Sequence, residues 1–210
     1  MPRQIAVLLA VTAAGASGQA LENWQSVDVS LLRAGVAEIG LHTQIRTGSG
    51  FHPWTYARLG PVVTVQHRPW LRWTAGFWQH ESRRDTEGWE GSRRVYGGAE
   101  IRWYGRGVAL WTRHIGERFW YGEGRRGARH RHRHRVQAIG SGRWQPRVSH
   151  EWVLDAGGVQ LIRPSAGFRV FSTAHADLTV TYQYDFRRES LGGNRHALVT
   201  ALRIRPGGER

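Results

Sequence analysis

Apolar and polar residues alternate with a period of two along most of the chain, a pattern typical of half-buried β-strands. In DLTVTYQYDF (177–186) every even-numbered residue is apolar or aromatic, and every odd-numbered residue is polar. Residues 37–46 divide in the same way, with Glu38, His42 and Gln44 on the face opposite Ile39 and Ile45. The pattern therefore predicts strands with one apolar and one polar face.

Eleven segments carry this alternation, and no long helical pattern interrupts them. They lie near 24–32, 35–46, 55–66, 70–81, 93–104, 107–119, 127–139, 146–154, 159–171, 176–187 and 194–205. Each is about as long as a membrane-spanning strand or slightly longer. We therefore expect an all-β protein.

The connections alternate between tight turns such as 105–107 and longer polar stretches at 82–92, 121–126 and 187–193. This alternation, with aromatic residues near the segment ends, predicts an antiparallel up-and-down transmembrane β-barrel. Bacterial barrels of one chain have even strand numbers, so we expect ten to twelve strands with one segment missed or misassigned. A soluble β-sandwich is the alternative.

The N-terminus has the organisation of a secretory signal peptide, with Arg3 in a basic region, an apolar run at 5–16 and small residues before Gln19. We therefore predict a signal peptide over 1–18 and a barrel over 19–210. The expected location is the bacterial outer membrane, and the expected partners are its lipids, lipopolysaccharide and the barrel-assembly machinery.

The net charge of +14 comes entirely from arginine, because the sequence contains no lysine. Such a charge is common in nucleic-acid-binding proteins. An exported chain meets little nucleic acid, so we expect no nucleic-acid partner. Acidic groups inside the barrel and lipid phosphates are more suitable partners for these arginines.

The stretch ARHRHRHRV (128–136) concentrates this charge, and period two separates its two residue types. The arginines Arg129, Arg131, Arg133 and Arg135 share the polar, lumenal face. The histidines His130, His132 and His134 share the outward face.

Lumenal arginines require counter-charges. Acidic residues and one further arginine on the polar faces of other segments complete the predicted lumenal charge network: Glu38, Glu100, Arg102, Glu151 and Asp185. The favoured function is a structural or envelope-associated barrel whose lumen this network fills. A narrow, porin-like channel for small anionic solutes is the alternative.

The outward histidines, with Trp24, Trp70 and Trp120, are predicted to lie at the lipid or headgroup interface. Alternate histidines on one strand can share a metal ion, but no third ligand is evident in the sequence, so we expect neither a metal nor a cofactor.

A membrane-embedded lipid-modifying enzyme is a further alternative. We expect no catalytic residues, since the adjacent Ser149 and His150 point to opposite faces of a strand.

Several stretches also resemble the domain of unknown function 2490 family, predicted bacterial outer-membrane barrels: SRRVYGGAEIRWYGRGVALWTRHIGERF, ARHRHRHRVQ, SHEWVLD, RPSAGF and LTVTYQYDF. The resemblance covers most of the mature chain and implies a barrel without an established activity. Glu117-Arg118-Phe119 lacks the family's spacer between Glu and Arg, which leaves open whether Arg113, Glu117 or Arg118 faces inward. The end, LRIRPGGER, lacks the terminal aromatic residue usual in inserted barrels.

Overall fold

A computed structural model describes residues 21–48, 54–84, 88–121, 128–188 and 193–205. These residues contain eleven β-strands and no helix long and apolar enough to cross a membrane. The strands are β1 (Leu21–Ala34), β2 (Ala37–Thr47), β3 (Trp54–Arg68), β4 (Leu71–Arg84), β5 (Gly88–Tyr104), β6 (Val108–Tyr121), β7 (Arg129–Gly140), β8 (Arg147–Asp155), β9 (Gly158–Ser172), β10 (Ala176–Arg187) and β11 (Arg195–Ile204). The predicted signal peptide lies outside the described residues.

The strands form one closed barrel in chain order. Sequential neighbours pair antiparallel, whereas β1 pairs with β11 in parallel, from Leu21 opposite His196 to Val29 opposite Ile204. The expectation of a wholly antiparallel barrel with an even strand number is therefore wrong. With an odd number of strands in alternating directions, the first and last run the same way, and a parallel pair closes the barrel.

All eleven predicted segments are confirmed as strands, within a few residues at each boundary. The residues that the structure describes contain no twelfth strand, and the parallel pairing of β1 with β11 closes the barrel without one. The predicted long connection at 82–92 is wrong, since β4 continues to Arg84 and β5 begins at Gly88. The sandwich alternative is also wrong, because the strands form a single closed sheet.

The two faces of the barrel have opposite polarity. Large apolar side chains lie exposed on the outside, among them Val63, Trp73 and Phe77, the last of which is 37% exposed. Polar and charged side chains are buried inside, including Glu117, Glu151 and Asp185. The barrel thus inverts the usual arrangement of a soluble protein, in which apolar side chains fill the interior.

A small apolar cluster of Trp78, Tyr96 and Ile115 lies within this polar interior. The rings of Trp78 and Tyr96 pack with centroids 4.1 Å apart. Gly76 makes room for this packing, because a β-carbon there would collide with the Tyr96 phenol. The absence of a side chain at position 76 therefore allows Tyr96 to pack against Trp78.

Candidate functional site: an arginine-lined lumen

The strand β7 carries the arginine ladder of the lumen. Its four arginines line the central cavity, and three of them, Arg131, Arg133 and Arg135, pair with carboxylates of the adjacent strands β6 and β8. The fourth, Arg129, pairs with Asp155 at the end of β8. The four arginines therefore form a row of ion pairs along the inner face of β7.

One side chain from each of β5 to β10 joins a continuous chain of salt bridges, which we name the carboxylate arc: Arg94, Glu117, Arg133, Glu151, Arg163 and Asp185. Glu117 bridges Arg94 at 3.0 Å and Arg133 at 3.3 Å. Glu151 bridges Arg133 at 2.5 Å and Arg163 at 3.1 Å. Arg163 then reaches Asp185 at 2.7 Å. Three arginines and three carboxylates alternate, so the carboxylate arc is formally neutral.

The opposite wall, from β1 to β4, holds its arginines differently, and we name it the aromatic arc: Trp24, Arg46, Tyr56, Arg58 and Trp78. The Arg46 guanidinium carbon lies 3.7 Å from the Trp24 ring centroid and 4.2 Å from that of Tyr56. The guanidinium carbon of Arg58 lies 4.1 Å from the Trp78 centroid. These are cation–π distances.

Arg46 and Arg58 form no salt bridge with any described carboxylate. Arg46 donates hydrogen bonds to the Gln44 side-chain oxygen at 3.1 and 3.2 Å, and Arg58 Nε donates to His42 Nε2 at 3.1 Å. A ring face attracts a cation electrostatically but carries no counter-charge. The aromatic arc is therefore formally doubly positive.

The two arcs meet at both of their ends. Trp78 packs against Arg94 of the carboxylate arc, with 4.1 Å from the guanidinium carbon to the ring centroid. At the other end Arg163 lies 5.3 Å from the Trp24 centroid. Side chains from ten of the eleven strands thus form one ring of contacts around the lumen.

A second group of ion pairs lies nearer the end of the barrel formed by the β1–β2 and β3–β4 turns. Glu100 pairs with Arg72 at 2.9 Å and with Arg102 at 2.6 Å. Arg203 of β11 reaches Glu38 of β2 at 3.2 Å. Arg113, beside Glu100 in the β5–β6 register, forms no hydrogen bond or salt bridge with a described residue.

A cavity of about 710 Å³ occupies the lumen. Its lining includes Tyr121 and Arg129 towards one end of the barrel and Glu38 and Arg203 towards the other. Thirteen arginines line it, against three carboxylates, Asp28, Glu38 and Glu100. Adding the three carboxylates of the carboxylate arc and Asp155, the partner of Arg129, brings the acidic total to seven, so the lumen retains a positive excess.

All nine residues of the predicted lumenal network lie in these ion pairs, and each has a named partner. Arg113 and Glu117 share the inward face of β6, because both contribute to the interior. Arg118 is exposed, with its guanidinium carbon 5.2 Å from the Trp120 ring centroid. This resolves the orientation that the sequence left open.

The prediction that Trp24 lies at the lipid interface is wrong. Trp24 is 2% exposed and packs against Arg46 inside the barrel. It has the same strand parity as Ser26 and Asp28, whose side chains face inward, so period two itself contained the signal. Trp70 and Trp120 are exposed, at 52% and 38%.

The three ladder histidines lie on the outer face, opposite to the arginines. His134 hydrogen-bonds to His114 of β6, with 2.7 Å between their Nδ1 atoms. His150 of β8 packs on Trp152, with ring centroids 4.3 Å apart. The outward imidazoles therefore extend over three adjacent strands.

Sequence reasoning missed most of the partners that complete the two arcs: Arg46, Tyr56, Arg58, Trp78, Arg94, Glu117 and Arg163. Each lies on the polar face of its strand and could have been listed from parity alone. Which of them meet depends on the tilt of the strands, because contacts join residues offset along neighbouring strands. Glu117, for example, bridges Arg133 although its register partner is Arg131.

The side chains of Ser149 and His150 do not contact each other in the structure, and the side chain of His42 on the inner face has its own partners. Ser149 Oγ lies 2.7 Å from Ser165 Oγ, away from His150. His42 is bonded to Asp28 Oδ1 at 2.6 Å and accepts from Arg58, so both ring nitrogens are engaged. Among the described residues, no group of three or more His, Cys, Asp or Glu side chains is arranged to hold a metal.

Comparison with known proteins yields no family model, no curated protein and no solved structure that matches this chain. The fold and the lumen define the class of the protein, a closed eleven-stranded β-barrel with a charged interior.

Proposed function

We propose that this protein is an outer-membrane barrel whose lumen conducts small anionic solutes. The observation that carries the proposal is the cavity of about 710 Å³, lined by thirteen arginines and three carboxylates and reaching towards both ends of the barrel. Rings of arginine favour anions over cations in pores. The excess of arginine over carboxylate separates this function from that of a barrel filled by neutralised ion pairs.

The outer surface supports the membrane location. Contiguous exposed apolar side chains are costly in water and favourable against lipid. Exposed tryptophans occur near both ends, with Trp54, Trp89 and Trp120 at one and Trp70 and Trp103 at the other. Such positions suit the two interfaces of a bilayer. Outer-membrane lipids, lipopolysaccharide and the assembly machinery are the partners this proposal implies.

Fractionation tests the location. We expect the protein in the outer-membrane fraction, with a gel mobility that changes on heating as the barrel unfolds. Recovery as a soluble periplasmic protein would contradict the membrane proposal.

Planar-bilayer recording tests the channel. In a KCl gradient the reversal potential should indicate preference for chloride. Neutralising Arg113 and Arg135, neighbours in the β6–β7 register, should reduce that preference without abolishing conductance, because Glu151 retains Arg133 and Arg163 as partners. Absence of conductance across a wide voltage range would instead favour a structural barrel.

A further inference from the structure

The aromatic arc contains two arginines, Arg46 and Arg58, that contact no described carboxylate and could therefore bind an anion. We infer that Arg46 and Arg58 form a binding subsite for a doubly charged oxyanion of the phosphate type. This inference rests on the proposed function, since the solute would reach the subsite through the lumen. It names the class of anion that the lumen recognises.

The first argument is charge. In the carboxylate arc, each arginine meets at least one carboxylate, as Arg163 meets Glu151 and Asp185. In the aromatic arc, two arginines meet ring faces and neutral acceptors. Neither guanidinium contacts a described carboxylate directly, and Asp28 reaches Arg58 only through His42. A dianion at this wall would supply the direct counter-charge that both guanidiniums lack.

The second argument is the direction of the donors. A guanidinium stacked on a ring keeps its N–H groups in its own plane, where they remain able to donate to planar or tetrahedral oxyanions. Arg46 stacks on Trp24 and Arg58 on Trp78. Of these N–H groups, Nε and Nη2 of Arg46 donate to Gln44 and Nε of Arg58 donates to His42, so the remaining N–H groups of both guanidiniums are the ones that a ligand would meet.

The third argument is a group of buried donors near Arg58. Trp78 Nε1 and the Nε and Nη2 atoms of Arg94 have no hydrogen-bond partner among the described residues, and Arg94 is 2% exposed. His80 Nε2 also lacks a partner, and it is a donor when the Tyr56 hydroxyl donates to His80 Nδ1, 2.5 Å away. Buried donors without acceptors are costly, and a phosphate group provides several acceptor oxygens.

Binding of inorganic phosphate to the purified, detergent-solubilised barrel tests the inference, read by calorimetry and by tryptophan fluorescence. We expect saturable binding that chloride displaces only weakly. The double variant Arg46→Met/Arg58→Met should weaken it at least about tenfold, since each charged hydrogen bond contributes more than 1.4 kcal/mol.

The matched control is Arg131→Met/Arg135→Met, which removes the same charge from the opposite wall while Glu117 and Glu151 keep other arginine partners. It should change phosphate affinity by much less. The variant Arg46→Lys/Arg58→Lys keeps both charges but not the planar donors, and should bind with intermediate affinity. Heat-modifiable gel mobility verifies that each variant is folded.

Equal weakening by the two Met double variants would overturn the inference, because only the overall charge of the lumen would then matter. No phosphate binding to the wild type would also overturn it. The channel proposal fails separately, by absence of conductance in bilayers, and phosphate binding can be measured whether or not the barrel conducts.

Discussion

The two arcs solve the same physical problem, holding arginines inside a barrel, by different means. The carboxylate arc compensates each guanidinium with a buried carboxylate, and Asp185 at its end is 1% exposed. The aromatic arc stacks its guanidiniums on ring faces and leaves their charge in place. The difference indicates that direct ion pairs with buried carboxylates hold the arginines of one wall, whereas cation–π contacts hold those of the other.

Removing a carboxylate from the carboxylate arc should have the largest effect on stability. Glu151→Gln removes the one carboxylate that pairs with Arg135 and one of the two that pair with each of Arg133 and Arg163. Losing one partner of a buried ion pair costs about 3–5 kcal/mol. Equilibrium unfolding in detergent micelles, followed by tryptophan fluorescence, measures the change. The control is Glu38→Gln at the more exposed pair with Arg203; a loss as large there would show that burial is not the cause.

Removing a ring from the aromatic arc should have the next largest effect. Trp78 packs between the guanidiniums of Arg58 and Arg94, each 4.1 Å from its centroid. Trp78→Leu removes both cation–π contacts and part of the packing, and should cost about 2–3 kcal/mol in the same unfolding assay. Trp78→Phe keeps a ring face and should lose less. Equal losses for the two variants would assign the effect to volume rather than to the ring.

The sequence predicts the strands and their faces well, because side-chain direction depends only on local alternation. That is why ARHRHRHRV separates correctly into inward arginines and outward histidines. Barrel closure is not local: the pairing of Leu21 with His196 joins the two ends of the barrel, and no pattern within either strand indicates it.

The partners inside the lumen also escaped prediction, since they depend on offsets between tilted strands. The prediction for Trp24 fails for a different reason. Tryptophan near a strand end is typical of membrane interfaces, but the parity that Trp24 shares with Ser26 directs its ring into the lumen. Its contact with Arg46 shows why an aromatic ring is useful inside a lumen that carries unpaired cations.

Adding a side chain at Gly76, next to the Tyr96 ring, should lower the unfolding free energy less than losing the Trp78 ring does. Gly76→Ala places a methyl group against the Tyr96 phenol, which packs on Trp78. Overpacking of this kind costs about 1–2 kcal/mol where a side chain can shift. In a Tyr96→Leu background, which lacks the clashing ring, the same Gly76→Ala change should cost less in the unfolding assay. An equal cost in both backgrounds would place the strain elsewhere in the β4–β5 pair.

The smallest effect is expected where the arginine ladder reaches the end of the barrel. Asp155 is 9% exposed but pairs with Arg129, whose side chain is 42% exposed, so water screens the pair from the arginine side, and ion pairs screened by water contribute about 0–1 kcal/mol. Asp155→Asn retains an oxygen that can accept from the Gly157 amide, as the carboxylate does at 2.9 Å. The unfolding free energy should therefore change by less than about 1 kcal/mol, although this variant and Glu151→Gln both remove one carboxylate from the ladder. If Asp155→Asn lowered the unfolding free energy as much as Glu151→Gln does, the position of a carboxylate along the ladder would not determine how strongly it stabilises the barrel. Burial would then not be the cause of the difference.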